Sequence, residues 1–331
     1  MGQHLAIGLG AGLVSALLFS VVITGSPLAI VLSYAAPLPI LIAALGWNHR
    51  SGLLAVCTGA IAVSLVLRPT TGLAYALGSG FPAWWIAFLV LLGRPVVAPG
   101  GLQAANAPVA MEWFPLGHLL AWIAGTATLV VLVGAIALGN GHYGDYSALL
   151  TRLLDNFLQT DLGSSGGTTA PAEGAGGTQF RHLILKFVPM IVAAIFCLFF
   201  VVNAWLGAKA VQISGRLVRP WPMLFTARMP LLAVALLVGG LLAAFMPGYV
   251  GVGGTALAGA MAMAFALQGL ALLHHVTMGR PGRLGILVCT YILTLFFGGT
   301  FLPLMAVAGV VDTTTPLRRR LTLTSGGAGL T

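Results

Sequence analysis

The sequence predicts an all-α polytopic transmembrane helical bundle with about eight spans, eight or nine in number. Of the 331 residues, 59% are hydrophobic and only 6% are charged. Because an ordinary soluble domain carries about 25% charged residues, this chain cannot cover a globular surface with polar groups. It also contains a series of apolar segments, each close to the roughly 20 residues that a helix needs to cross about 30 Å of hydrocarbon.

Nine segments approach that length and justify the fold element by element. They lie at about 5–24, 28–46, 52–67, 72–93, 115–138, 183–207, 230–247, 252–277 and 284–311. Segment 52–67 is short for a crossing, and segment 28–46 contains Pro37 and Pro39, which remove backbone donors and break regular helix. We expect eight crossings, because a ninth would put the basic tail on the opposite side from most other basic residues.

The composition also divides the chain into four parts. They are an N-terminal transmembrane half (1–138), an extramembrane insertion (139–182), a C-terminal transmembrane half (183–312) and a basic, then glycine-rich, polar tail (313–331). Within the insertion, apolar residues at helical spacing predict an amphipathic helix over 146–158. The glycine-, serine- and threonine-rich stretch 163–178 is typical of a flexible linker.

The net charge of +9 comes from basic residues that mostly stand singly between apolar segments. That distribution is typical of positive-inside anchoring and excludes a nucleic-acid footprint. With a cytoplasmic N-terminus, eight of them face inward: Arg50, Arg94, Lys209, Arg216, Arg219, Arg228, Arg280 and Arg283. We therefore expect a multi-pass protein of the bacterial inner membrane, with the N-terminus and the basic tail in the cytoplasm. Its expected partners are the lipid bilayer, other membrane proteins and a small-molecule ligand.

No motif in the sequence predicts catalysis, a cofactor or a metal site. A Walker A motif is absent, since the only lysines, Lys186 and Lys209, do not follow a glycine loop. His274 and His275 are adjacent, so on a helix they point about 100° apart and cannot easily hold one ion. We expect a protein that is not an enzyme and that cannot hydrolyse ATP by itself.

Polar side chains inside apolar spans are functional candidates by default. The candidate ligand-binding residues are Asn203, Gln268, His274 and Tyr291. The alternative for each is a satisfied structural hydrogen bond or a headgroup contact.

Two further groups of residues suggest helix contacts. Small residues at four-residue spacing line one face of the first span, at Gly8, Gly12, Ala16 and Ser20. Such a face lets helix backbones approach closely, either inside the bundle or against a partner protein. In the tail, Asp312 and Arg318 are spaced for an interface latch at the helix end; the alternative is plain positive-inside anchoring.

Several motifs together resemble the YybS-like family of bacterial multispanning membrane proteins, a domain of unknown function. They are QGLALLHH at 268–275, MGRPGR at 278–283 and GVVDTTTPLRRRL at 309–321. The family is distantly similar to the substrate-binding S components of energy-coupling factor transporters, which depend on separate ATPase and coupling subunits. That resemblance implies that Gly8, Gly12 and Ala16 dock a coupling subunit, although this chain differs by extra spans and by the 139–182 insertion.

Two functions follow from these observations. The first is a transporter-like, small-molecule-binding membrane subunit without its own ATPase. The alternative is a non-transport scaffold or assembly factor that acts through helix–helix contacts. A buried polar cavity near Asn203, Gln268 and Tyr291 would favour the first function, and a solidly packed bundle would favour the second.

Overall fold

The computed structural model describes residues 2–96, 111–157, 175–223 and 227–315, and in these residues the chain is a bundle of α-helices. Thirteen helices are described: α1 (Gly2–Ser20), α2 (Pro27–Tyr34), α3 (Pro37–Gly46), α4 (His49–Val66), α5 (Pro69–Tyr75), α6 (Phe81–Leu91), α7 (Leu116–Leu138), α8 (Tyr143–Phe157), α9 (Ala175–Ile213), α10 (Leu231–Ala243), α11 (Gly248–Val276), α12 (Arg283–Phe296) and α13 (Gly298–Thr314). A 3-10 turn (Val21–Thr24) extends α1, and a π-helical turn (Ala76–Gly80) joins α5 to α6. Two short strands, β1 (Gly93–Pro95) and β2 (Met111–Trp113), pair antiparallel.

Seven helical segments in the described residues are long and apolar enough to cross a membrane. They are Gly2–Thr24, Pro27–Gly46, His49–Val66, Pro69–Leu91, Leu116–Leu138, Leu183–Ile213 and Gly248–Val276. Two apolar helices, α10 and α12, are shorter. These segments confirm the predicted all-α polytopic bundle. The segment predicted at 52–67 is longer than expected, because α4 begins at His49, where the Asn48 side chain accepts a hydrogen bond from the Arg50 N–H.

The helices pack into two compact units. Unit 1 comprises residues 1–123 and 198–229, and unit 2 comprises residues 124–197 and 230–331. The boundaries fall inside α7 and α9, so each of these two helices contributes to both units.

Unit 1 is organised around α4, which lies alongside α1 and also packs on α3 and α5. At its edge, the β1–β2 hairpin links the end of α6 to the start of α7, and Arg94 of β1 forms an ion pair with Glu112 of β2 at 2.7 Å. The buried guanidinium of Arg219 donates hydrogen bonds to the carbonyls of Val90 and Phe114, at 3.1 and 2.8 Å. Burial lowers the pKa of Arg219. This arginine therefore ties the end of α6 to the residue that follows β2.

Unit 2 is organised around α11, which packs against α10 and α13. Helices α11 and α13 run antiparallel, because Gly269 lies against Met305 while Phe265, one turn earlier, lies against Gly309. A Cβ at Gly269 or Gly309 would overlap a carbonyl oxygen of the facing helix. Glycine is thus required at both positions for this backbone approach.

The apolar segment predicted over 284–311 forms two helices, because the helix is interrupted at Phe297, between α12 and α13. Gly298 and Gly299 follow the break, and Pro303 cannot donate a backbone hydrogen bond to Gly299, so the sequence favours an interruption there. Helix α13 packs along α11 and also contacts α12. Because α13 is antiparallel to α11, the C-terminal end of α13 and the turn that contains Arg280 lie at opposite ends of this helix pair. The distribution of basic residues, in contrast, predicts both on the cytoplasmic side.

Helix α8 covers the segment that the sequence predicts as amphipathic. Its Tyr146 is buried with Ala135 and Val252, and Leu150 and Tyr249 pack against this cluster. Burial raises the pKa of Tyr146, as do the neighbouring tyrosines. Of the predicted linker 163–178, residues 163–174 lie outside the described residues, and α9 begins at Ala175. The tail from residue 316 onward also lies outside them.

Candidate functional site

The second span of unit 1 is interrupted at mid-length, where α2 ends at Tyr34 and α3 begins at Pro37. Pro37 and Pro39 have no N–H, so the carbonyls of Ser33 and Ala35 lose their regular helical donors. The N–H of Leu38 donates a hydrogen bond to the Ala35 carbonyl at 3.0 Å, and not to the Tyr34 carbonyl. The carbonyl of Tyr34 is therefore left without its helical partner inside the bundle.

Asn203 of α9 supplies the missing donor. Its Nδ2 donates to the Tyr34 carbonyl at 3.1 Å and to the Phe199 carbonyl of its own helix at 3.0 Å. Asn203 is buried, so these bonds replace those that water would otherwise supply. The sequence singled out Asn203 as a candidate ligand residue; in the structure, both of its amide hydrogens are used by backbone carbonyls.

Ser15 of α1 and Tyr75 of α5 complete the same site. Ser15 Oγ donates to the Ala36 carbonyl at 2.5 Å, and it lies 2.6 Å from the Tyr75 hydroxyl. Because the single proton of Ser15 goes to Ala36, the hydroxyl of Tyr75 is the donor to Ser15. Both side chains are fully buried, and Gly59 of α4 leaves room for the Tyr75 hydroxyl, which touches its backbone.

We call this group the mid-span polar cluster: Ser15, Tyr75, Asn203 and the carbonyls of Tyr34 and Ala36. The π-helical turn Ala76–Gly80 directly follows Tyr75, and π-helical turns are frequent at functional sites. Ser79, within this turn, is buried, and its hydroxyl has no hydrogen-bond partner among the described residues.

The cluster lies near the middle of the spans. Ala36 and Asn203 are each ten residues from the ends of their helices, Gly46 and Ile213. At 1.5 Å per residue this is about 15 Å, half of the roughly 30 Å of a hydrocarbon core. A depth of this kind is where membrane transporters commonly hold their solutes and ions.

A second buried polar group lies in unit 2, between α11 and α13. Gln268 Nε2 lies 2.7 Å from Asp312 Oδ2, 3.0 Å from the Thr313 hydroxyl and 3.2 Å from the Gly309 carbonyl. Gln268 and Asp312 are almost completely buried. Asp312 lies in the last turn of α13, which ends at Thr314, and its carboxylate contacts Gln268 of α11. The proposed latch to Arg318 stays a prediction, because Arg318 lies outside the described residues.

The other two predicted ligand residues form a separate pair. His274 Nε2 lies 2.8 Å from the Tyr291 hydroxyl, joining the end of α11 to α12. Tyr291 is exposed, so this pair lies at the surface of unit 2. The four candidates thus occur in three places: Asn203 in unit 1, Gln268 with Asp312, and His274 with Tyr291.

The predicted helix-docking face is used inside the chain. Gly8, Gly12 and Ala16 are buried, and Ser20 is partly buried. A Cβ at Gly8 would lie 2.9 Å from the Ser51 carbonyl oxygen, and one at Gly12 would lie 2.5 Å from that of Ala55. Helix α4 therefore occupies this face.

Sequence reasoning missed Ser15 and Tyr75. Each is a polar side chain within an apolar span, the same signal that selected Asn203. Ser15 is the less conspicuous of the two, because it lies next to Ala16 of the small-residue face of α1.

The chemistry of the mid-span polar cluster is that of uncharged hydrogen-bonding groups. The Ser15 proton goes to a carbonyl, not to a base, so this serine is not arranged as a nucleophile. Within the described residues, no group of three or more histidine, cysteine or acidic side chains could hold a metal ion.

Comparison with known proteins shows the family of the chain. The family described as "Predicted membrane protein (DUF2232)" matches residues 13–313. The searches of curated proteins and of solved structures found no match. The match includes the mid-span polar cluster and Asp312, and it confirms the expected family of multispanning membrane proteins with a domain of unknown function. The chain therefore belongs to the DUF2232 family of predicted membrane proteins.

Proposed function

We propose that this protein is a transporter-like subunit of the bacterial inner membrane that binds a small molecule and has no ATPase of its own. The observation that carries the proposal is the break between α2 and α3. Two carbonyls of the broken span receive hydrogen bonds from Ser15 of α1 and Asn203 of α9.

An interrupted helix at this depth is energetically costly, because it leaves backbone polar groups without their helical hydrogen bonds. Non-helical backbone within a membrane is tolerated only where it is buried in protein or lines a cavity. Transporters commonly build their binding sites from such discontinuous helices, near the middle of the bilayer. The donors of Ser15, Tyr75 and Asn203 are already paired inside the protein, so a ligand would have to exchange with these bonds or bind the remaining oxygen lone pairs.

The cluster also limits the ligand chemistry. Ser15, Tyr75 and Asn203 carry no charge, and the acceptors are backbone carbonyls. A buried anion needs a cationic partner, and none of these residues supplies one. The cluster therefore suits an uncharged polar solute, or a small cation held by oxygen atoms.

The sequence contains no Walker A motif, which favours a separate subunit as the ATPase for active uptake. The lack of a base beside Ser15 favours binding over catalysis. Because α4 already covers Gly8 and Gly12, this small-residue face is available neither to the partner of a scaffold, which is the alternative function, nor to a coupling subunit. A coupling subunit would therefore have to dock on another surface.

Analysis of co-purified small molecules tests this proposal. The full-length chain is purified in mild detergent, denatured, and the released compounds are identified by mass spectrometry. We expect one compound at close to one equivalent per wild-type chain, and its loss from the Asn203→Ala and Ser15→Ala variants.

A matched control is Thr128→Val. This buried hydroxyl in unit 2 donates to Ala124 of its own helix. The control should keep the compound. A wild-type chain that releases no compound, or a compound retained equally by all variants, would contradict a binding site in the mid-span polar cluster.

A further inference from the structure

All seven tryptophans of the chain lie in unit 1, near one end of its helices. We call this the basic end: α4 begins here at His49, α6 ends at Leu91, α7 begins at Leu116 and α9 ends at Ile213. The tryptophans are Trp47, Trp84, Trp85, Trp113, Trp122, Trp205 and Trp221. At a rise of 1.5 Å per residue, the tryptophans within helices lie within about 12 Å of these helix ends. Membrane proteins usually place tryptophans at both interfaces, so this one-sided distribution calls for a cause.

The same end carries a concentration of positive charge. It holds Arg50, Arg94, Lys209, Arg216 and Arg219. The acidic residue described there is Glu112, which pairs with Arg94 at 2.7 Å. Among the described residues, Lys209 and Arg216 therefore have no carboxylate partner.

Both of these cations lie over the ring of a tryptophan. Lys209 Nζ lies 4.7 Å from the ring centre of Trp221, and the Arg216 guanidinium lies 4.6 Å from that of Trp47. A guanidinium stacked on a ring keeps its in-plane N–H groups available for a phosphate oxygen pair. Lys209 Nζ gives one bond, to Gln212 Oε1 at 2.9 Å, and has two more hydrogens to donate.

The surface next to these cations is apolar. Trp205 and Leu206, about one turn before Lys209 in α9, are 44% and 42% exposed. Cationic groups above exposed apolar side chains match a phospholipid, whose phosphate lies directly above its acyl chains. A nucleic acid or another soluble polyanion offers no acyl chain to cover the apolar part.

We propose that the basic end of unit 1 selectively binds anionic phospholipids, with Lys209 and Arg216 contacting a phosphodiester whose charge no headgroup cation neutralises. The tryptophans hold this end at the level of the headgroups. Selectivity for charge goes beyond the bilayer contact that any membrane protein makes, and it does not depend on a ligand in the mid-span polar cluster.

Tryptophan fluorescence reports on this site directly, because the chain has no tryptophan elsewhere. The full-length protein is reconstituted in phosphatidylcholine vesicles that contain a small share of brominated lipid, which quenches tryptophans that it touches. We expect brominated phosphatidylglycerol to quench more than brominated phosphatidylcholine at the same share. Lys209→Gln and Arg216→Gln should each lower this preference by about fivefold, equivalent to about 1 kcal/mol per surface cation.

Arg68→Gln is the matched control, because it removes one exposed charge at the opposite end of α4. It should leave the preference unchanged. Equal quenching by the two lipids, or an equal loss in Arg68→Gln, would overturn the proposal. Glycerol 3-phosphate, polyglutamate and a short DNA duplex, each added at constant ionic strength, should not compete. Loss of the preference with any of them would assign these cations to a soluble ligand instead.

Discussion

At the scale of single residues, the direction of each hydrogen bond decides what the mid-span polar cluster is. Tyr75 donates to Ser15, and Ser15 donates to the Ala36 carbonyl, so each of these two hydroxyl protons has one acceptor. The cost of an unpaired buried polar group is about 1–3 kcal/mol. The three groups therefore depend on one another for stability.

This dependence predicts energetic coupling between Ser15 and Tyr75. Ser15→Ala leaves the Tyr75 hydroxyl without its acceptor and should lower the free energy of unfolding by about 1–3 kcal/mol. Tyr75→Phe removes the donor and should cost less. Because both variants break the same bond, the double variant should be less destabilised than the sum. Denaturation in detergent would measure this difference, and strict additivity would refute the assigned bond.

Gly12 is the second position where one residue decides the packing. A Cβ there would lie 2.7 Å from Thr58 Cβ and 2.5 Å from the Ala55 carbonyl oxygen, so Gly12→Leu must push α1 away from α4. Overpacking of this kind costs about 1–3 kcal/mol, and the melting temperature of the purified protein should fall. Val14 is 49% exposed, so Val14→Leu is the control and should be nearly neutral. Equal melting temperatures for the two variants would mean that α1 and α4 do not pack through Gly12.

At the scale of elements, α11 and α13 are in close backbone contact in unit 2. Gly269 and Gly309 bring the two helices together, and Gln268 then reaches Asp312 and Thr313. Interhelical hydrogen bonds inside membranes are worth about 0.6 kcal/mol on average. Backbone packing is therefore expected to contribute more than the polar contacts to holding this pair.

Two glycines of α13 allow a matched test of this packing. A Cβ at Gly309 would overlap the Phe265 carbonyl oxygen, whereas nothing lies within 4 Å of a Cβ at Gly299. Gly309→Ala should lower the melting temperature. Gly299→Ala should be neutral or slightly stabilising, because alanine favours helix by up to about 1 kcal/mol over glycine. If the two substitutions have the same effect, α13 does not lie against α11 as described.

At the scale of the whole molecule, the distribution of basic residues predicts the orientation in the membrane. The turns that hold Ser214 and Pro281 lie beside Arg216 and Arg280, so both should face the cytoplasm. Thr70, after Arg68, should face outward.

Cysteine labelling measures this orientation. In a chain whose three native cysteines are replaced by alanine, Ser214→Cys and Pro281→Cys should resist a membrane-impermeant reagent added outside intact cells. Thr70→Cys should react. The cysteine is introduced at Pro281 and not at the neighbouring Gly282, because the φ of +82° at Gly282 disfavours any side chain. The opposite labelling pattern would invert the topology.

The sequence alone determined that this protein lies in a membrane, because the ratio of apolar to charged residues does not depend on any tertiary contact. The lengths of its apolar segments likewise predicted most of its helices. Pro37 and Pro39 likewise predicted the break in the second span, because a missing N–H acts locally. The break at Phe297 was missed, although Gly298, Gly299 and Pro303 carry the local signal for it.

Only the tertiary structure decided which groups meet across the chain. Asn203 and Tyr34 are 169 positions apart, and Gln268 and Asp312 are 44 positions apart. No periodicity within one helix encodes which carbonyl of another helix lacks a donor, or which helix covers a glycine face. The sequence could nominate Asn203 and Asp312 as polar residues in apolar surroundings. Their partners followed from helix packing, which is a property of the assembled bundle.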